Sequence, residues 1–298
     1  MSFKTGFIAI VGLPNVGKST LINTLVGEKI SIVSSKPQTT RNNILGIRND
    51  EDSQIVFVDT PGLHFENTKL ATFMNKSIRS ASKEVDAILV CIDGHKGITQ
   101  KDLSIIERFK ENEIPIVVAI NKIDISQKEK LMPELLKLND IEGICDVVPI
   151  SAKKRKNLDE LIKVLKKYLY EGERFFEDDL VTDKSDKFRV AEILREKLLL
   201  LYDKEIPHGI AIDIKRMEYN ENKKIYNIYA DIICEKDSHK TIIIGKQGSA
   251  LKKAATYARE SMEKTLNAKV FLELWVRVKE NWKNSDAVLN DLDYIIKK

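Results

Sequence analysis

Gly12-Leu13-Pro14-Asn15-Val16-Gly17-Lys18-Ser19 constrains this chain more than any other stretch, because it follows the apolar run 7–11 directly and precedes a segment that can start a helix. Gly-x-x-x-x-Gly-Lys-Ser between a strand and a helix is a phosphate-binding loop. Its glycines let the backbone turn tightly enough for successive N–H groups to face a β-phosphate. Lys18 carries positive charge to the β- and γ-phosphates, and Ser19 offers a hydroxyl to Mg²⁺. The helix beginning near Thr20 and running to about Val26 aims its positive end at the same anions.

Two later segments select guanine. Residues 116–120 read as a buried parallel strand, and they end in Asn121-Lys122-Ile123-Asp124. A carboxylate at Asp124 can accept hydrogen bonds from guanine N1–H and the exocyclic amine, a donor pair that adenine lacks. Asn121 can tie this segment back to the phosphate loop, and the Lys122 stem can lie over the base. The run 147–150 then leads into Ser151-Ala152-Lys153, where a backbone N–H can reach guanine O6. Asn-Lys-x-Asp alone is a common charged turn; its position between a phosphate loop and Ser-Ala-Lys makes it specific.

Between these motifs, residues 54–58 deliver Asp59-Thr60-Pro61-Gly62. Asp59 would hold Mg²⁺ through a water, and Gly62 offers its N–H to a γ-phosphate. Hydrolysis removes that phosphate and would release the segment, an order-to-disorder switch. In the polar stretch Lys36-Pro37-Gln38-Thr39-Thr40-Arg41, Thr40 is expected to be the second side-chain ligand of Mg²⁺, with Thr39 as the alternative. Lys18, Thr40 and Gly62 are thus the residues expected to act in hydrolysis. Where related enzymes carry a water-orienting Gln after this Gly, the chain has Leu63, so slow intrinsic turnover is expected. His64 follows, either as a substitute in a flipped conformation or as a solvated loop residue.

At 298 residues the chain has room for about two domains. Strands at 7–11, 55–59, 87–93, 116–120 and 146–150 alternate with helical patterns such as 103–109 and 158–169, which predicts a mainly parallel sheet with helices on both faces. The nucleotide is expected at the carboxyl ends of those strands. The first 180 residues hold equal numbers of acidic and basic side chains, so the net charge of +4 belongs to the remainder, as a local basic face. Cys91, Cys145 and Cys234 are widely spaced and form no C-x-x-C pair, so they are expected to be thiols of a reducing cytosol, without a disulfide frame or metal site. The start of the chain does not read as a signal peptide, and no apolar run is long enough to span a bilayer.

After Tyr170 the pattern changes. Residues 171–186 are dense in charge, as in a connector, and Phe175-Phe176 is expected to dock it on one domain or the other. An amphipathic helix follows over 188–202, with Ala191, Leu194, Leu198 and Leu201 at three- and four-residue steps. Strands are predicted near 210–217 and 224–234, around a turn at Tyr219-Asn220-Glu221-Asn222, with Ile210, Ile212, Ile214, Ile228, Ala230 and Ile232 facing the core. Gly245-Lys246-Gln247-Gly248 then opens a helix expected to bury Leu251, Ala255, Ala258, Met262 and Leu266, and an alternating strand over 270–278 closes the unit. Helix–strand–strand–helix–Gly-x-x-Gly–helix–strand is the order of a type II KH domain, whose loop clamps about four nucleotides of single-stranded RNA. Gly245 to Gly248 would lie against the RNA backbone, with Lys246, Lys252 and Lys253 at the phosphates.

Gly-Leu-Pro-Asn-Val-Gly-Lys-Ser, Gln-Thr-Thr-Arg, Asp-Thr-Pro-Gly-Leu and Asn-Lys-Ile-Asp, followed by Gly-Lys-Gln-Gly and by Val278-Lys279-Glu280-Asn281-Trp282-Lys283, resemble the Era family of bacterial GTPases, in the TrmE-Era-EngA class. The resemblance spans nearly the whole chain. It implies an α/β P-loop GTPase domain over 1–172, a linker over 173–187, a smaller α+β type II KH domain over 188–282 and a C-terminal helical tail over 283–298. The implied ligands are GTP or GDP with Mg²⁺. The class also associates Asn15 with K⁺ beside the phosphates, and a simple turn residue remains the alternative. The implied partner is the 3′ end of 16S ribosomal RNA, during maturation of the 30S subunit, with nucleotide state coupled to RNA binding. A cytoplasmic monomer is expected, with peripheral contact at the inner face of the membrane. Two other functions fit the residues less well. One is a passive RNA scaffold that holds GDP, and the other is a signalling GTPase whose basic domain binds protein or anionic membrane.

Overall fold

In the computed structural model the described residues are 2–34, 36, 39–61, 68–81, 84–110, 113–202, 206–292 and 294. They form two compact units. The first comprises 1–33, 40–65 and 74–183, and the second comprises 34–39, 66–73 and 184–298.

The first unit is built on a sheet of β1 (Lys4–Val11), β2 (Ile44–Asp50), β3 (Ser53–Asp59), β4 (Ala87–Asp93), β5 (Ile116–Asn121) and β6 (Ile144–Pro149), ordered β2-β3-β1-β4-β5-β6. β1 pairs in parallel with β3 and β4, and β5 in parallel with β4 and β6. Every residue of β3, β4 and β5 is buried, as expected of strands covered on both faces. Four helices belong with this sheet, α1 (Lys18–Val26), α3 (Gln100–Lys110), α4 (Lys128–Asn139) and α5 (Leu158–Leu165), while α2 (Lys69–Ala81) is divided between the units and belongs to the first from Met74 on. Ala9, Val11, Ile88, Val90, Val118 and Ile120 pack on Ile105, Ile106 and Phe109 of α3 and Leu138 of α4. The alternate residues Ile8, Ile10, Leu89 and Val117 point the other way and are equally buried.

Three elements escape the periodicity of the sequence. β2 is an antiparallel edge strand whose second half, Arg48-Asn49-Asp50, is polar and partly exposed. α2 is capped by Thr68, whose hydroxyl accepts from the Ala71 N–H at 3.1 Å, but its first turn carries no acidic residue. α4 carries an internal Pro133, although its Leu131, Leu135 and Leu138 recur at helical spacing.

The charged segment after Tyr170 docks on this first unit. β7 (Tyr170–Glu171) pairs antiparallel with Lys4 and Thr5, below the point where β4 joins β1. Beyond it, the fully buried Gln54 receives the N–H groups of Phe175 (2.8 Å) and Phe176 (3.1 Å) at Oε1 and donates from Nε2 to the Phe176 carbonyl (2.9 Å). The Phe175 ring lies 4.7 Å from that of Phe7, and Ile47 N–H donates to the Val181 carbonyl.

The second unit contains α6 (Asp186–Leu201), β8 (Ala211–Asn220), β9 (Ile225–Cys234), α7 (Asp237–Ile244), α8 (Ser249–Leu266), β10 (Lys269–Val278) and α9 (Asp286–Asp291). Its sheet is ordered β10-β9-β8, with β9 parallel to β10 and antiparallel to β8. One core joins Leu194 and Leu198 of α6, Ile212, Ile214, Ile228, Ala230 and Ile232 of the sheet, and Ala258 and Met262 of α8. Buried Trp282 anchors the following segment through Nε1–H to the Gly209 carbonyl at 3.0 Å.

Two expectations change here. The hairpin turn lies at 221–224 and not at 219–222, because the Tyr219 and Tyr226 rings pair across the strands (4.8 Å) and carry β8 on to Asn220. On α8 the fully buried residue is Ala254, with Ala255 only half-buried. Ala254, Ala258 and Met262 form a straight i, i+4 row, which the spacing of the leucines alone does not reveal. Among the described residues no helix is long and apolar enough to cross a membrane.

Gln54→Ala leaves the partly buried N–H groups of Phe175 and Phe176 without their acceptor. Urea denaturation should show a loss of about 2–3 kcal/mol, and limited proteolysis should cut faster within 173–183. Wild-type resistance at those bonds would show that Gln54 does not hold the segment.

Candidate nucleotide and RNA sites

The sequence-predicted residues of the first unit gather at the carboxyl edge of the sheet: Gly12 after β1, Asp59 at the end of β3, Asn121 at the end of β5 and Ser151 after β6. The loop from β1 to α1 needs its glycines for steric reasons. Gly12 and Gly17 take φ of +150° and +105°, and a Cβ would lie 2.4 Å from the Cys91 carbonyl oxygen at the first and 2.3 Å from Asn121 Nδ2 at the second. Asn15 also turns left-handed, with φ 64°. No side chain caps α1, so the N–H groups of its first turn face the loop's concave side. Lys18 is buried and its ammonium donates to the Gly12 and Leu13 carbonyls, both at 3.0 Å. Burial lowers its pKa, and the Asp59 carboxylate opposes that shift.

Beside Lys18 lies a cluster of oxygens. The Ser19 and Thr40 hydroxyls are 3.0 Å apart, and Asp59 is fully buried with Oδ1 lacking a hydrogen-bond partner among the described residues. Its Oδ2 accepts from Ser31 Oγ at 2.8 Å, a support that no sequence signal marks. Thr39 is turned away, its hydroxyl donating to the Lys36 carbonyl, so Thr40 is the threonine that meets Ser19. Two hydroxyls beside a buried carboxylate with an unsatisfied oxygen suit a hard, oxygen-seeking cation such as Mg²⁺. Thr60 donates to the Ile10 carbonyl at 2.8 Å, and Pro61 is buried beside it. Gly62, Leu63 and His64 lie outside the described residues.

The base end is organised by Asn121. Its Nδ2 donates to the Val16 carbonyl (3.0 Å), and its Oδ1 accepts from the N–H groups of Lys122 (2.8 Å) and Ala152 (2.9 Å). Of the Ser151-Ala152-Lys153 segment, the Ala152 N–H is therefore engaged with Asn121. Lys122, at φ 68°, sends its ammonium to the Asn15 carbonyl (2.7 Å) and the Asp93 carboxylate (2.6 Å), which stretches its stem along the site. Asp124 accepts from Ser151 Oγ at 2.6 Å, and this bond holds its carboxyl below the usual range, ionised and ready to accept from a base. Lys153 is exposed. Asp93 is absent from the sequence-predicted set; its position at the end of a buried apolar strand was the available signal.

In the second unit, Gly245-Lys246-Gln247-Gly248 joins α7 to α8. Gly245, Gln247 and Gly248 have φ of 71°, 50° and 76°. A Cβ at Gly245 would lie 2.6 Å from Ala250 Cβ, whereas one at Gly248 would meet nothing within 4 Å. The Gly248 N–H closes the turn on the Gly245 carbonyl. Lys246, Gln247, Lys252 and Lys253 are exposed around it, with Lys253 Nζ 5.9 Å from the Tyr257 ring centroid. Ile242 and Tyr257 add exposed apolar surface beside the turn. Cations, backbone that can be approached closely and an apolar strip are the components that single-stranded RNA needs.

Comparison with known proteins gives a match to each of the two units. Residues 7–122 match the family described as 50S ribosome-binding GTPase, and residues 205–283 match the KH domain. GTPase Era of Clostridium kluyveri is 50% identical over 291 residues, covering 98% of this chain and 99% of the relative. GTPase Era of Clostridioides difficile is 49% identical over 294 residues, with coverage of 98% and 99%. Two solved structures superpose with TM-score 0.95 at 38% identity over 99% of this chain and 100% of theirs. One is an Aquifex aeolicus Era variant bound to GDP and AlF4⁻, and the other is Era with MgGDPNP and nucleotides 1506–1542 of 16S ribosomal RNA.

Burial pushes the Asp59 carboxyl up from 3.8 to about 6, against the Ser31 hydrogen bond and the Lys18 charge. The folded, nucleotide-free protein therefore takes up a proton between those values, and its stability falls as pH rises across them and stays low above. Asp59→Asn removes this penalty. At about pH 7.5 the nucleotide-free variant should be more stable than wild type by about 3 kcal/mol, and the gap should close below about pH 4. Thermal melts across pH check this, and a variant that is less stable at neutral pH would refute it.

Proposed function

From the premise that this chain belongs to the Era family of GTPases, we propose that it binds and hydrolyses GTP and grips single-stranded RNA near the 3′ end of 16S ribosomal RNA during 30S subunit maturation. The observation that carries this is the pairing, in one chain, of a phosphate loop with a Gly-Lys-Gln-Gly turn, in a fold that matches an Era solved with MgGDPNP and 16S RNA. The working limits are a GTPase domain to 172, a linker over 173–187, a KH domain over 188–282 and a tail beyond.

In this reading the loop N–H groups from Gly12 to Thr20 and the Lys18 ammonium bind the phosphates. Asp124 pairs with the guanine edge, Lys122 covers the base and the Ser151-Ala152-Lys153 segment closes its side. Ser19 and Thr40 hold Mg²⁺ directly and Asp59 holds it through a water. Bound Mg²⁺ supplies neutralisation of the charge on the β- and γ-phosphates. The unpartnered Asp59 oxygen supports this set. Gly62 donates to the γ-phosphate, and Leu63 beside it keeps intrinsic turnover slow. Asn15, whose left-handed backbone bends the loop, is the ligand for K⁺. Turnover in K⁺ should therefore exceed turnover in Na⁺ at matched ionic strength, and equal rates would remove K⁺ from the mechanism.

RNA and GTP binding are linked, so each changes the other's affinity by the same factor. The protein works in the cytoplasm on this reading. Single-turnover hydrolysis and RNA affinity, measured with GTP analogue, GDP and no nucleotide, test it directly. Equal RNA affinity in all three states would overturn the coupling. A Cβ at Gly248 meets open space, and its φ of 76° costs Gly248→Asp only about 1 kcal/mol because Asp tolerates left-handed backbone better than most residues, so the variant should fold while placing negative charge on the RNA backbone's path. RNA affinity should drop about a hundredfold with GDP affinity unchanged; retained RNA binding would place the RNA elsewhere.

A further inference from the structure

The turn Asp93-Gly94-His95, at the carboxyl end of β4, is stitched to the Asn-Lys-x-Asp segment at three points. Asp93 Oδ2 takes the Lys122 ammonium at 2.6 Å, Gly94 N–H donates to the Asn121 carbonyl at 2.8 Å, and His95 Nδ1 lies 2.9 Å from the Ile125 carbonyl. The other Asp93 oxygen is engaged too, accepting from His95 N–H at 3.1 Å. Asp93 is 6% exposed. A Cβ at Gly94 would lie 2.6 Å from Ile120 and 3.0 Å from the Asn121 carbonyl oxygen, so the turn can press against that strand end only as glycine.

We propose that Asp93 is a positioning residue for guanine-nucleotide binding, acting through Lys122. This rests on the reading of Lys122 as the residue over the base. A lysine stem has four rotatable bonds and ordinarily samples many rotamers. Here the ammonium is held by both the Asp93 carboxylate at 2.6 Å and the Asn15 carbonyl at 2.7 Å. The stem is thereby drawn taut from the end of β5 to the phosphate loop, and an apolar strip of fixed orientation is in place before any base arrives. The charge is needed for this. A carbonyl alone gives a neutral acceptor, whereas a largely buried carboxylate makes the stronger charge-assisted bond. The same ammonium reaches the Asn15 carbonyl of the phosphate loop, so one side chain links the base and phosphate ends of the site.

The base is common to GDP and GTP, so the effect must be the same for both. Full-length Asp93→Asn keeps the shape and removes the charge. Its affinities for GDP and for a non-hydrolysable GTP analogue should each fall about tenfold, through faster release. The single-turnover rate at saturating GTP should stay within about twofold, since no reacting atom is touched. A purely structural role would not distinguish these quantities, and a double-mutant cycle with Lys122→Met isolates the link. Lys122→Met alone should weaken both nucleotides, and adding Asp93→Asn to it should change nothing further. Wild-type affinity in Asp93→Asn, or losses that add in the double variant, would overturn the inference alone. Wild-type affinity in Lys122→Met would overturn the reading of the base site and this inference with it.

Discussion

The first unit depends on a single buried carboxamide. Asn121 donates to the phosphate loop at Val16 and accepts from Lys122 and Ala152, so three segments from distant parts of the chain are fixed by one side chain. An aspartate would lack the donor, and an alanine would leave two N–H groups and a carbonyl without partners in a dry site. Gly17 has no Cβ for the same reason, because that atom would overlap the carboxamide. The glycine of one motif and the asparagine of another are thus parts of one steric and hydrogen-bonding arrangement.

Around this link the site stores unfavourable charge. Burial disfavours the charged form of both Lys18, whose pKa it lowers, and Asp59, whose carboxyl it pushes up to about 6 in the nucleotide-free molecule. On the proposed reading a polyanion with a cation would relieve both, with phosphate oxygens meeting the ammonium and the metal reaching the hydroxyls directly and the carboxylate through a water. The free energy withheld from the empty fold is returned on binding, and this makes such a protein responsive to its ligand. Thr40 beside Ser19 shows how the segment carrying it participates, because its hydroxyl reaches the cluster only while that segment lies against α1.

The second unit solves a different problem with similar means. Its Gly-Lys-Gln-Gly turn holds three left-handed residues in a row broken only by Lys246, which lets exposed cations surround backbone without intervening side chains. The helices behind the turn are secured by Ala254, Ala258 and Met262 and by the Tyr202 hydroxyl on the Ile243 carbonyl at 2.8 Å. The rigid part is the core, and the recognition surface is what that core leaves uncovered.

The chemistry-bearing stretches were legible in the chain because each is local. A phosphate loop, an Asn-Lys-x-Asp turn and a Gly-x-x-Gly turn are defined by neighbouring residues whose backbone geometry and charge act within a few bonds. Apolar runs located the buried strands of the parallel sheet for the same reason. What tertiary structure decided was pairing at long range: Thr40 over Thr39 beside Ser19, Ser31 on Asp59, Asp93 on Lys122, and Gln54 under the segment at 175–176. It also set the row on α8 that faces inward and the residue at which β8 turns. Such choices depend on which groups meet after the chain has closed on itself. A hydrogen bond spanning more than a hundred residues, as that of Gln54 with Phe175 does, leaves no periodic trace in the sequence on either side.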